Sequence, residues 1–260
     1  MITMSSTIRE WHRAARRTVY MMIGAAAVIT PAMVSAQSRT PAALTGRFSG
    51  SLFAQGTDPQ GDFGRNTGSG WGLGGAGVWR LDDSGISHIR LDLGFVTYGS
   101  NTRRIDLANA GGLVKLDLNT TSSIFSMVAG PQIGGTVGPF APYVAALGGF
   151  STFWTSSSVK GPNDDADEDG FGSTTNASDA VLAYGGAAGA TFRLTDVNDD
   201  RGGKRELRLD LGARLMRHDD VRYLNAARVK EAFDNNTPPR PIRGRADFVT
   251  YYLGINAVLF

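Results

Sequence analysis

The stretch "IRLDLG" at residues 89–94 is written again as "LRLDLG" at 207–212, and a looser third copy, "VKLDLN", occupies 114–119. Apolar, basic, apolar, acidic, apolar has a period of two. As a strand, each copy puts its aliphatic residues on one face and a cation plus an anion on the other; as a helix, the same residues would spread charge all round. A soluble sheet would turn the oil inward. A sheet facing lipid would turn the oil outward and hold the charges inside. The rest of the chain selects the second arrangement.

Strand-like segments recur along the sequence at 44–55, 70–81, 86–98, 113–133, 141–155, 179–194, 204–217 and 247–260, eight in all. In 204–217, "KRELRLDLGARLMR", the alternation is strict: Leu207, Leu209, Leu211, Ala213 and Leu215 oppose Glu206, Arg208, Asp210, Gly212 and Arg214. The connections alternate in length. Those at "DDSG", "GGTVGPF" and "TDVNDDRGG" are short, whereas 56–69, 99–112, 156–178 and 218–246 are long and polar. Tight turns at one end and long loops at the other define an up-and-down transmembrane barrel, and a sandwich has no reason to sort them so. The expected fold class is therefore all-β: an eight-stranded antiparallel up-and-down transmembrane β-barrel over 44–260. Each segment supplies the roughly 9–11 residues that a tilted strand needs to span the hydrocarbon. Aromatic residues near segment ends (Trp71, Trp79, Tyr98, Tyr143, Phe153, Trp154, Tyr184, Phe192, Tyr251 and Tyr252) are expected to form the interfacial girdles.

The first 36 residues differ from the rest. Arg9, Arg13, Arg16 and Arg17 precede an apolar run over 19–29, and Val34, Ser35 and Ala36 make a small-residue cleavage site, the pattern of a secretory signal peptide. A short segment, 37–43, then leads into the barrel. Without the leader the count of 26 basic and 24 acidic side chains becomes 22 and 23. The basic balance thus belongs partly to the signal and gives no support for nucleic-acid binding. There is no cysteine, so the fold must rest on packing and hydrogen bonds.

With its leader, strand count, loop sorting and terminal Phe260, the chain resembles the eight-stranded outer-membrane barrels of the OmpA, OmpX and opacity-protein kind. The resemblance implies an outer-membrane location, with the long loops outside and the C-terminus on the periplasmic side. It also implies that Phe260 belongs to a signal read by the barrel-assembly machinery. Val258 and Tyr252 fit that signal. Asn256 and Gly254 fall where apolar residues are usual, and Leu253, Ile255, Ala257 and Leu259 offer a competing face, so either the strand bulges or its phase differs.

Because an eight-stranded barrel is just wide enough for side chains to fill, the interior charges must satisfy one another. Segments three and seven stand opposite in a ring of eight. Arg90, Asp92, Arg208 and Asp210, with Arg214 on the same face, are expected to meet across the lumen as one network. Lys115 and Asp117 of the third copy fall near the outer end of their strand.

Other candidates lie in the loops. "NDDADEDG" at 163–170 spaces Asp165, Asp167 and Asp169 like the start of a calcium loop, but Asn176 stands where the closing glutamate would be. A possible Ca2+ site there competes with a plain acidic loop, and no other cofactor is expected. The last loop is basic, with Arg222, Arg228, Lys230, Arg240, Arg243 and Arg245, and "YLNAARVKEAF" at 223–233 has the spacing of a short helix. Of the two histidines after the leader, His88 and His218, the latter lies beside Asp219 and Asp220 at the outer rim and is the only seed of a hydrolytic site.

Three functions remain. One is a non-enzymatic surface protein whose loops bind outer-membrane lipids, lipopolysaccharide or a surface ligand. The others are a lipid- or peptide-modifying enzyme with a rim site near His218, and a narrow solute channel.

Overall fold

The computed structural model describes residues 47–106, 115–136, 138–160, 172–198, 204–224, 232, 235, 237 and 240–258. The expected signal segment 1–36, the stretch 37–43, Asp165, Asp167, Asp169 and Phe260 lie outside these residues, as does nearly all of the expected helix over 223–233.

Eight strands close into one antiparallel barrel: β1 (Phe48–Pro59), β2 (Gly70–Arg80), β3 (Ser87–Asp106), β4 (Lys115–Gly134), β5 (Phe140–Lys160), β6 (Gly172–Asn198), β7 (Lys204–His218) and β10 (Phe248–Val258). β1 completes the ring on β10, in register from Ser49 opposite Val258 to Pro59 opposite Phe248. Closure leaves no open edge, as a sheet in hydrocarbon requires, because no water is there to satisfy its N–H and C=O groups. A six-residue helix, α1 (Gly61–Asn66), follows β1, and a separate hairpin of β8 (Asp220–Tyr223) and β9 (Ile242–Arg245) lies between β7 and β10. No helix among the described residues is long and apolar enough to cross a membrane.

The two faces divide as the alternation predicts. Leu52, Leu73, Leu91, Leu93, Leu211, Leu215, Leu253 and Ile255 are exposed on the outside, whereas Arg90, Asp92, Arg208, Asp210 and Arg214 are buried. A sheet that exposes its leucines and buries its arginines is built for lipid.

Three expectations need correction. First, β3, β5 and β6 run well past the expected ends, into 99–106, 156–160 and 172–178, where β4 pairs with β3 and β5 over its expected outer part, 115–122. Beyond the hydrocarbon the outward face need not be apolar, so the alternation that marks a strand fades while pairing continues. Where this outer part begins, hydroxyls pair across β4 and β5: Thr120 with Ser157 at 2.9 Å and Ser122 with Thr155 at 2.9 Å.

Second, only part of the aromatic set faces outward. Trp71, Trp79, Tyr184, Phe192 and Tyr251 are exposed, but Tyr98, Tyr143, Phe153 and Tyr252 are buried inside. Of two adjacent aromatics such as Tyr251 and Tyr252, a period of two sends one each way.

Third, β10 keeps continuous register with both neighbours, so it does not bulge. Its phase is the alternative one, with Leu253 and Ile255 outward and Asn256 buried. Gly254 is dictated by space, since a Cβ there would lie 2.0 Å from the Leu52 carbonyl oxygen.

Candidate functional site: the lumen and its closure

The interior is layered. From the short-turn mouth to mid-barrel lie three cations, Arg90, Arg208 and Arg214, and three anions, Asp92, Asp210 and Glu206. Asp92 is the hub. Arg90 Nε donates to its Oδ1 at 2.7 Å, and Arg214 Nη1 reaches from β7 to its Oδ2 at 3.1 Å. Arg90 also donates from Nη1 to Gln132 Oε1 at 3.3 Å, and Arg214 from Nη2 to Gln55 Oε1 at 3.2 Å.

Asp210 is held by hydroxyls. Tyr143 donates to its Oδ1 at 2.8 Å and Ser51 to its Oδ2 at 2.7 Å, while Asn256 Nδ2 donates to Ser51 at 2.9 Å. With the Tyr143 proton directed at Asp210, the 2.9 Å contact between the two tyrosine hydroxyls has Tyr252 as donor. The Arg90 guanidinium lies 5.0 Å from the Tyr143 ring centre and 5.8 Å from that of Tyr252, within cation–π range.

The expected four-way brace is therefore redistributed. Arg208 pairs with Glu206 of its own strand, Nη2 to Oε2 at 2.5 Å, and Arg214 takes the place across from Asp92. The reason is depth. The β6–β7 hairpin continues from Thr195 opposite Leu207 to Asn198 opposite Lys204, whereas β5 leaves β6 at Phe192. The hairpin overhangs the barrel, so "LRLDLG" sits lower than "IRLDLG" and Arg208 reaches only the mouth.

The closing glycine of the first two copies, Gly94 and Gly212, clears space for a neighbour's arm. A Cβ on Gly94 would meet Gln55 Nε2 at 3.0 Å and Arg214 Nη2 at 3.3 Å, and one on Gly212 would meet the Tyr252 hydroxyl at 2.5 Å.

At the loop end the lumen is shut by apolar packing. Phe63 of α1 is fully buried, with its ring centre 4.9 Å from Tyr223, 5.4 Å from Tyr98 and 6.0 Å from Phe153. Val221, Tyr223 and Leu224 descend with it. The Leu224 carbonyl accepts from Thr155 at 3.1 Å, Ser122 at 3.3 Å and Tyr98 at 3.5 Å. Between this plug and the charged layer lies His218. Its Nε2 is 2.9 Å from Ser151 Oγ, which is 2.8 Å from Ser126 Oγ, and its ring packs on Phe153 and Phe248. Among the described residues no hydrogen-bond partner meets its Nδ1. His88 stands apart, on β3 opposite Arg80 near the short-turn end.

Sequence reasoning did not anticipate Tyr143, Tyr252, Ser51, Gln55 and Gln132 as interior partners. The signal was present, because each occupies the same alternation phase as its strand's buried residues. No group of three or more His, Asp or Glu side chains among the described residues could hold a metal.

On the outside of the β8–β9 hairpin, Asp220, Arg222, Arg243 and Arg245 share the exposed face, while Val221 and Tyr223 point inward. Arg222 stands directly opposite Arg243, and Asp220 opposite Arg245. Arg243 Nε lies 3.8 Å from Asp220, and Arg245 lies 4.0 Å from Asp247. Among the described residues no acid pairs with the Arg222 side chain.

No family model matches the sequence and no curated protein matches it. Among solved structures it is similar to Neisserial surface protein A, with 13% identity, 82% of this chain and 97% of that one covered, and a TM-score of 0.40. It is similar also to Ail, the attachment invasion locus protein of Yersinia pestis, solved with the heparin analogue sucrose octasulfate (11%, 82% and 97%, TM-score 0.41). A major outer membrane protein of Thermus thermophilus matches at 14%, with 80% and 98% covered and a TM-score of 0.35. Likenesses this distant do not bear on ligand or activity. The closed inside-out sheet itself is that of an eight-stranded outer-membrane β-barrel.

Proposed function

We propose that the protein is a non-enzymatic surface protein of the outer membrane, whose barrel is a mount and whose loop end binds anionic groups of lipopolysaccharide. In this reading the long loops face outward and the C-terminus lies on the periplasmic side. The observation that carries it is the Arg222–Arg243 pair. Like charges directly opposite on paired strands repel, and here both belong to a hairpin anchored in the barrel mouth by Tyr223 and Leu224. An anion bridging the two guanidiniums relieves the repulsion through charge-assisted hydrogen bonds.

Two alternatives lose support from the geometry. A hydrolase at His218 needs substrate access and an acid to orient the imidazole, yet the ring is fully buried and its Nδ1 has no partner among the described residues. A solute conduit needs an open path, and Phe63, Tyr98, Phe153 and Tyr223 fill it.

The test is binding of lipopolysaccharide by the refolded barrel. Arg222→Ala with Arg243→Ala should weaken it about tenfold, ~1.4 kcal/mol, and raised salt should weaken the wild type more than the double variant. Equal affinity for dephosphorylated lipopolysaccharide, or no loss in the double variant, overturns the assignment.

A further inference from the structure

The outer wall carries a groove that the loop chemistry does not involve. On β1 the outward positions Ala54 and Gly56 are small. Their cross-strand neighbours are large: Gly56 lies between Tyr251 and Trp71, and Ala54 between Leu253 and Leu73. Side chains on the two flanking strands therefore stand as walls along a floor one strand wide. The next outward residue toward the short-turn end, Leu52, is 78% exposed and stops the groove. The space measures about 420 Å³, and Gln55, Gly72 and Tyr252 complete its lining.

We propose that this groove is a discrete binding site for one acyl chain of a membrane lipid, on the half of the wall nearer the long loops. Its dimensions fit. The walls are two strand spacings apart, about 10 Å between backbones, which the flanking side chains narrow to about the width of one hydrocarbon chain. The two floor positions span roughly 7 Å along β1 at the rise of an antiparallel strand. Its chemistry fits as well, because none of the nine lining residues is charged. The groove is continuous with the exposed apolar belt of Leu52, Leu73, Leu253 and Ile255, so the medium against it is hydrocarbon. A second copy is the poorer occupant. A two-fold contact centred here would set groove against groove and leave both unfilled.

Ordinary boundary lipid slides over a convex wall of side chains. A chain lowered between Trp71 and Tyr251 contacts protein on three sides and gains dispersion contacts that a neighbouring lipid lacks. One lipid should therefore outlast detergent washing.

The groove can be filled without disturbing the barrel. A Cβ on Gly56 meets no atom within 4 Å. The experiment compares wild type, Gly56→Leu, Ala54→Phe and, as a control on a distant outward leucine, Leu182→Ala. Each is reconstituted with phosphatidylethanolamine bearing a diazirine in one acyl chain, washed in mild detergent and weighed intact. Heat-modifiable gel mobility checks folding, and Ala54→Phe serves if Gly56→Leu does not fold. Wild type and Leu182→Ala should each retain one lipid, and filling the groove should cut retention at least fivefold. After irradiation the adducts should map to Trp71, Leu73, Tyr251 and Leu253. Undiminished retention in the filled variants, adducts spread evenly round the belt, or a cross-linked second copy at Trp71 would each overturn the site. None of these outcomes depends on Arg222 or Arg243.

Discussion

Arg214 on β7 donates to Asp92 on β3 at 3.1 Å, and the bond crosses the full width of the barrel between strands that share no backbone pairing. Asp92 also takes the Arg90 Nε at 2.7 Å, so one carboxylate holds two buried guanidiniums. Desolvating such groups is costly, and removing one partner leaves the others uncompensated.

Asp92→Ala should therefore be the most damaging single change in the lumen. Losing one partner of a buried ion pair costs about 3–5 kcal/mol. The urea midpoint, read from the fraction of heat-modifiable barrel, measures it. Replacing Asp92 and Arg214 together by Leu and Met should be milder than Asp92→Ala alone, because the lumen then keeps two cations, Arg90 and Arg208, against two anions, Glu206 and Asp210.

Asp210→Ala should cost less. It leaves the Tyr143 and Ser51 hydroxyls without their acceptor, yet Tyr143 retains Tyr252 and Ser51 retains Asn256. An unsatisfied buried hydrogen-bonding group costs roughly 1–3 kcal/mol. Asp117, near the outer end of β4, should matter least. The order Asp92, Asp210, Asp117 is checked by the same denaturation series, and Asp117→Ala equalling Asp92→Ala would contradict it.

The same two motifs show what the sequence could and could not convey. Period-two alternation identified the strands and assigned Arg90, Asp92, Arg208, Asp210 and Arg214 to one face, because a strand has only two faces. It could not assign partners. Depth depends on how far each hairpin overhangs, and nothing in "LRLDLG" records that β6 and β7 keep pairing past Leu207. The loop-end plug was illegible for a related reason. Phe63 lies in "GDFGRN", where one aromatic among polar residues reads as a loop, and its burial requires Tyr98, Phe153 and Tyr223 from three other segments.

The β2–β3 turn provides a pH test at the opposite end. Desolvation raises the Asp82 carboxyl, but hydrogen bonds from the Ser84 hydroxyl and the Ser87 and Ile86 backbone N–H groups outweigh it and hold the pKa at about 2. Gly85, at φ +70°, closes the turn in the left-handed region. A depressed carboxylate contributes stability that is full above its unfolded value, about 3.9, and is lost as pH falls through the folded value. The urea midpoint of the wild type should therefore drop between about pH 4 and pH 2 by more than that of Asp82→Ala. Parallel pH profiles would remove Asp82 from the account.

The plug makes a separable prediction about transport and loop order. Phe63→Ala removes the ring that Tyr98, Phe153 and Tyr223 enclose, and truncations of this kind cost about 3–5 kcal/mol in a packed core. Here the loss should be local, because the barrel ladder from β1 to β10 contains none of the α1 backbone. The variant should still migrate as a folded barrel while the last loop becomes susceptible to brief proteolysis, its anchor at Leu224 having lost the packing above it. In planar bilayers the wild type should show no ion-selective unitary steps. Phe63→Ala should at most add irregular leak, since His218, Phe248 and the Asp92 layer still fill the bore below. Steady wild-type conductance that Asp92→Ala alters would instead establish a path through the charged layer, and the mount reading would give way to the conduit.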